Sequence, residues 1–123
     1  MPSFVLVQNT DQPIAAPARV KICSSFVCRL RGLMFRSSLD PDEGLLLQIP
    51  HESRLDASIH MLFVPFALAV FWISSSLEVV DKVLAQPWRP AYLPARPALY
   101  VLEMHPGRLA QYEIGHKLEL LRA

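Results

Sequence analysis

The sequence lacks most of the signatures of a membrane protein, a zinc protein or a common hydrolase. No apolar run reaches the ~20 residues a helix needs to cross a bilayer; the longest, residues 61–73, has 13, all apolar once Pro65 is counted. Its Val, Phe, Trp and Ile content and the break at Pro65 predict two buried strands meeting at a bend. The absence of Gly-x-Ser-x-Gly and of His-x-His removes the usual supports for an acyl-transfer enzyme and for a cupin-like metal site. Cysteine is scarce: Cys23 and Cys28, separated by Ser-Ser-Phe-Val, match neither a zinc knuckle nor a redox Cys-x-x-Cys, so two buried or half-buried thiols are expected. The start, Met-Pro-Ser-Phe-Val-Leu-Val, has neither a basic n-region nor a continuous apolar h-region, so export is not indicated and a cytoplasmic location is expected. Repeats and low-complexity tracts are absent as well.

The net charge is +1, which offers no long-range attraction for nucleic acid or an acidic membrane. Arg19, Lys21, Arg29, Arg31 and Arg36 do fall in a segment free of Asp and Glu. No aromatic platform for bases accompanies them, so a solvated edge balanced by Asp40, Asp42 and Glu43 is the simpler reading. The 123 residues suit one domain, 1–123, with a single core. The hydrophobic fraction of 52% modestly exceeds that of ordinary soluble domains. It implies a thick core or a partly apolar surface.

Residues 4–8 and 19–23 alternate as strands. Ser24 or Ser25 can cap a helix over 25–38, in which Val27, Leu30, Leu33 and Met34 recur at helical spacing, with Gly32 inside it packed close to a neighbouring backbone. A turn over 40–44 follows, then strands at 45–49 and 57–62. Residues 67–73 and 78–86 form a hairpin, and because Ser74 to Leu77 offers no Gly for a tight turn, a longer loop is expected. Both faces of 67–73 are apolar, as in a central strand covered on each side. Four prolines bar 86–97 from a sheet interior, and 99–105 and 117–121 supply the last strands. The whole indicates a mainly β fold, a compact jelly-roll-like sandwich or barrel of seven to eight strands with one short α-helix.

Several motifs stand in a characteristic order: Gly32-Leu33-Met34-Phe35-Arg36, Asp42-Glu43-Gly44-Leu45-Leu46-Leu47, Ala57-Ser58-Ile59-His60-Met61, Val64-Pro65-Phe66, Val70-Phe71, Val101-Leu102-Glu103, Pro106-Gly107 and Ile114-Gly115. Over about residues 19–121 the chain thereby resembles the family catalogued as domain of unknown function 192, in its Ile-His-Met branch. The resemblance implies a compact β sandwich with one helix and no assigned activity. Three carboxylates usual in that family are replaced here, at Ala69, Ser74 and His116. A family activity that needed them is expected to be absent.

Glu103 shares a strand face with Leu99 and Val101, so a buried carboxylate is expected, and with it a partner, Arg36 or Arg31. His60 points opposite to Ile59 and Met61; it is either a hydrogen-bonded structural group or a base lining a cleft. Trp88, Tyr92 and Leu93 among the prolines form either a lid over the barrel or a stiff surface for a partner. No cofactor or metal is expected. Two function classes follow. The first is a non-enzymatic binding or accessory module using residues 25–38, His60 and the loop 86–97. The second is a small-ligand binder or enzyme with a pocket at Arg31, Arg36, His60 and Glu103. The partner would be a protein or a small molecule rather than nucleic acid or membrane, and homodimerisation through an exposed sheet face is a further expectation.

Overall fold

The apolar runs alternate or are apolar on both faces, and each becomes a strand because its faces find cover. The computed structural model describes residues 3–123. Its strands are β1 (Phe4–Asn9), β2 (Arg19–Cys23), β3 (Glu43–Ser53), β4 (Leu68–Ile73), β5 (Val79–Ala85), β6 (Ala98–Met104) and β7 (Leu118–Arg122), with one α-helix, α1 (Phe26–Arg31), and a 3-10 helix at Pro106–Gln111. All seven strands join one sheet in the order β5-β4-β6-β3-β2-β1-β7. Only the β2–β3 pair is parallel.

The sheet curls into a half-barrel whose ends approach each other. Leu118 N–H donates to the Leu77 carbonyl (2.8 Å) and Val79 N–H to that of His116 (3.0 Å), around an isolated bridge between Glu78 and Lys117. The mainly β expectation, with seven strands and one short α-helix, therefore holds. Closure is partial.

Every residue of β4 is buried. Leu68, Val70 and Trp72 belong to one apolar cluster, and Ala69, Phe71 and Ile73 to a second inside the curl. The second cluster is filled by the sheet itself and by Tyr112 from beyond the 3-10 helix, packed edge-on to Phe71. The Tyr112 hydroxyl donates to the Val7 carbonyl, and burial pushes its pKa well above the ordinary tyrosine value. The first cluster lies on the opposite face, under α1, residues 54–66 and the Pro-rich loop. The hairpin loop between β4 and β5 is longer than a two-residue turn, and Leu77 supplies the left-handed residue, φ 62°.

Three sequence expectations are corrected. The helix covers Phe26–Arg31 rather than 25–38, because Gly32 takes φ 48° as its C-cap. No residue of α1 is buried; Leu33, just past the cap, reaches the core instead. Residues 57–62 keep the predicted alternation, with Ala57, Ile59 and Met61 buried, yet form no ladder in the sheet. They lie along the Pro-rich loop, where Ile59 and Tyr92 exchange two backbone hydrogen bonds (3.0 and 2.9 Å). The pairing continues irregularly, with Met61 N–H donating to the Arg89 carbonyl (2.7 Å), because Pro90 has no N–H to offer. Finally, Cys23 and Cys28 form a disulfide with Cα atoms 5.7 Å apart. The chain reverses between the end of β2 and the first turn of α1, bringing a non-motif pair within bonding reach.

Gly44 shows how tightly β3 and β6 pair. A Cβ there would stand 2.6 Å from the Glu103 carbonyl oxygen and 3.0 Å from Met104 Cγ. Gly44→Ala is expected to destabilise the fold by about 3 kcal/mol in urea unfolding, since a backbone atom cannot step aside.

Candidate functional site

Short local devices, not a long helix, build the layer over the first core cluster. Ser25 caps α1 through its hydroxyl, which accepts from Cys28 N–H (3.1 Å). The disulfide ties the same turn to β2. His60 fastens the far end of α1: its Nδ1 accepts from Leu62 N–H (3.1 Å), which leaves the proton on Nε2 to be donated to the Leu30 carbonyl (2.9 Å). Both ring nitrogens thus serve the backbone. The geometry is that of a structural histidine.

Beneath this layer lies a pocket of about 270 Å³, lined by Arg29, Arg31 and Leu33 around the end of α1, by His60 and Met61, and by Val101 and Glu103 of β6, among others. Alternation along β6 sends Glu103 to the Val101 side, as the sequence predicts, and its side chain is 4% exposed. No hydrogen bond or ion pair from the described residues reaches its carboxylate. Burial raises its pKa from 4.5 to about 7. Its Oε1 faces Gly32, where a Cβ would be 3.6 Å away.

The expected Glu103–Arg36 pair is not made. The left-handed turns at Gly32 and Phe35 carry Arg36 outward, where its guanidinium meets Glu43 (2.6 Å). That hydrogen bond, with a second from Asp40 N–H, holds the Glu43 carboxyl below its usual range. Arg31 lines the pocket with His60 and Glu103 but lies within ion-pair distance of no carboxylate among the described residues. Arg29 contributes a buried Nε without an acceptor. The other histidines are dispersed: His105 caps the 3-10 helix through Gly107 N–H (3.0 Å), His116 meets Asn9 (2.8 Å), and His51 pairs with Asp56 (3.1 Å).

Trp88 is 53% exposed, so it forms surface, not a lid. Sequence reasoning missed its neighbours. Phe35 packs on Phe63 with ring centres 5.0 Å apart, and Phe63 on Trp88 at 5.1 Å. All three are exposed and all three have left-handed backbone, φ 65°, 60° and 66°, a conformation that bulky residues rarely adopt. Phe35 N–H donates to the Phe63 carbonyl and Trp88 N–H to that of Met61 (2.9 Å each). Phe26 and Leu30, also exposed, line the pocket.

The family model for DUF192, described as an uncharacterized ACR family, matches residues 6–120. The chain belongs to this family. A UPF0127 protein of Pyrococcus furiosus is 39% identical over 102 residues, covering 81% of this chain and 84% of its own length. One from Pyrococcus abyssi is 31% identical over 116 residues, with 93% and 96% covered. Among solved structures, a candidate transcription regulator of Sinorhizobium meliloti superposes with a TM-score of 0.82 at 20% identity, over 98% of this chain and 94% of that one. At that identity the likeness is one of fold. DUF192 has no assigned activity, and the three positions read as departures from its pattern carry local structural duties here. Ala69 is core, the Ser74 hydroxyl accepts from Glu78 N–H (3.2 Å), and His116 holds Asn9.

Because folding raises the Glu103 pKa, the folded protein holds this proton more tightly than the unfolded chain. Stability from this group is complete below about pH 4.5 and is lost as pH rises to about 7. Relative to Glu103→Gln, the wild type is expected to lose roughly 3 kcal/mol between pH 4.5 and pH 8 in urea titrations.

Proposed function

We propose that the protein is a non-enzymatic binding module, and that its recognition surface is the corner formed by α1, the aromatic trio and the Pro-rich loop. The observation that carries this reading is the trio itself. A left-handed backbone costs a non-glycine residue on the order of 1–2 kcal/mol, and here that cost recurs at three adjacent aromatic side chains held at the surface. Folding alone gains little from such an arrangement. Strain of this kind clusters at binding sites, and exposed aromatics beside arginines have the composition of energetic centres of protein interfaces. Arg29, Arg31 and Arg89 lie on the same elements, so the occupant we favour is a partner protein presenting an acidic segment with apolar side chains. The commitment of both His60 nitrogens to backbone groups supports binding over acid–base chemistry.

No helix among the described residues is long and apolar enough to cross a membrane. For location, the cytoplasmic reading fits the disulfide only in a host whose cytoplasm tolerates such bonds, as in hyperthermophiles. Thiol titration of protein taken from native cells under alkylating conditions tests this: the cross-link should be intact, and two free thiols would contradict it.

For the docking surface, affinity capture from the native organism at physiological salt is compared with Trp88→Gly and Phe63→Gly. Each variant should change unfolding free energy by less than about 1 kcal/mol, since relieved strain offsets lost contacts. Each should nevertheless lose the captured partner, whose purified form must rebind the wild type with an affinity that falls as salt rises. Unchanged capture by both variants would end this reading, as would closure of the corner by self-association in sedimentation.

A further inference from the structure

A second feature, apart from the aromatic trio, is the unmatched carboxylate of Glu103. A buried charge without a partner is costly, and proteins ordinarily pair it or coordinate it. Here it sits in a pocket of about 270 Å³ whose walls are largely apolar, and no donor among the described residues is hydrogen-bonded to it, the buried Arg29 Nε included. The charged and titratable groups lining the pocket with it are Arg29 and Arg31 from around α1, and Asp56 and His60 from the segment opposite. Asp56 is engaged by His51 and His60 by the backbone. The pocket lining from β3, β4 and the Pro-rich loop carries no charge. Gly32 stands beside the Oε1 atom, where a Cβ would come to 3.6 Å. The Arg29 carbonyl, in the last turn of α1, lies on the same side of Gly32 and carries partial negative charge.

We propose that this pocket is a binding site for a primary ammonium group on an apolar stem, with the Glu103 carboxylate as its counter-ion. The stem lies against the apolar walls and the nitrogen reaches the floor, where low polarity strengthens the ion pair. Two sources share this chemistry, a free alkyl amine and a lysine side chain of another protein. The site shares Arg29 and Arg31 with the proposed docking surface, but its anion, Glu103, is buried and not part of that surface.

The test uses n-butylamine and Nα-acetyl-lysine N-methylamide, titrated separately into the full chain at pH 8 with methyl resonances observed by NMR. Saturable shifts confined to Met61, Val101 and Leu33 are expected. Tighter binding of butylamine indicates a free amine; tighter binding of the lysine amide indicates a side chain. Because the carboxyl must be ionised, affinity should fall about fivefold from pH 7 to pH 6. Carboxyl-carbon titration of the wild type should show the Glu103 pKa lowered when the amine is present. Glu103→Gln should weaken binding at least tenfold and remove the pH dependence, whereas 1-butanol should bind no better to wild type than to that variant. Absence of saturable pocket shifts with either amine, or equal binding of butylamine and butanol, overturns the assignment. So does a Glu103 pKa unmoved by saturating amine, a result that needs no variant.

Discussion

Burial of β4 on both faces is the constraint from which the rest of the architecture follows. A strand reading Leu-Ala-Val-Phe-Trp-Ile cannot leave either side to water, so the sheet must be covered twice. One cover comes from curling the sheet around Phe71, Ile73 and Tyr112. The other must come from segments outside the sheet, and in this chain those are a six-residue helix, an extended tract and a proline-rich loop.

The second cover is thin in regular structure, and its features follow from that. A helix of six residues with no buried side chain would not persist alone. It is held by a serine cap and a disulfide, both at Cys28, and by one imidazole at Leu30. Such a roof fills the space above β3 and β6 incompletely. The pocket is the unfilled part, and Glu103 projects into it from the strand next to β4.

Much of the sheet was legible from residue patterns, because period-two alternation and doubly apolar runs report how many faces of a strand are covered. Residues 57–62 mark the limit of that argument: alternation correctly predicted which side chains are buried, but not that the backbone would pair with a loop. The helix was read too long because Leu33 and Met34 continue the spacing of Val27 and Leu30 by coincidence. Gly32, taken as a packing residue within it, ends it by turning left-handed. The cysteine pair was read as thiols because no motif has its spacing, and the bond depends on a reversal of the chain. At the site, burial of Glu103 was legible from its strand face. Its isolation was not, since that depends on where the turns at Gly32 and Phe35 throw Arg36. Nothing in the identities of Phe35 and Phe63 signals a left-handed backbone.

The meeting of β5 with the start of β7 has a consequence for behaviour at high concentration. Open sheets expose a row of unused donors and acceptors that template cross-molecular strand pairing. Here the outermost strands spend part of that capacity on each other through Leu77, Val79, His116 and Leu118. Further along β5, Asp81 accepts from Ala95 N–H (2.8 Å), and the Lys82 ammonium donates to the Leu109 carbonyl (3.0 Å), drawing the Pro-rich loop and the 3-10 helix against the remaining margin. An apolar-rich chain thereby guards its own perimeter against fibril-like growth.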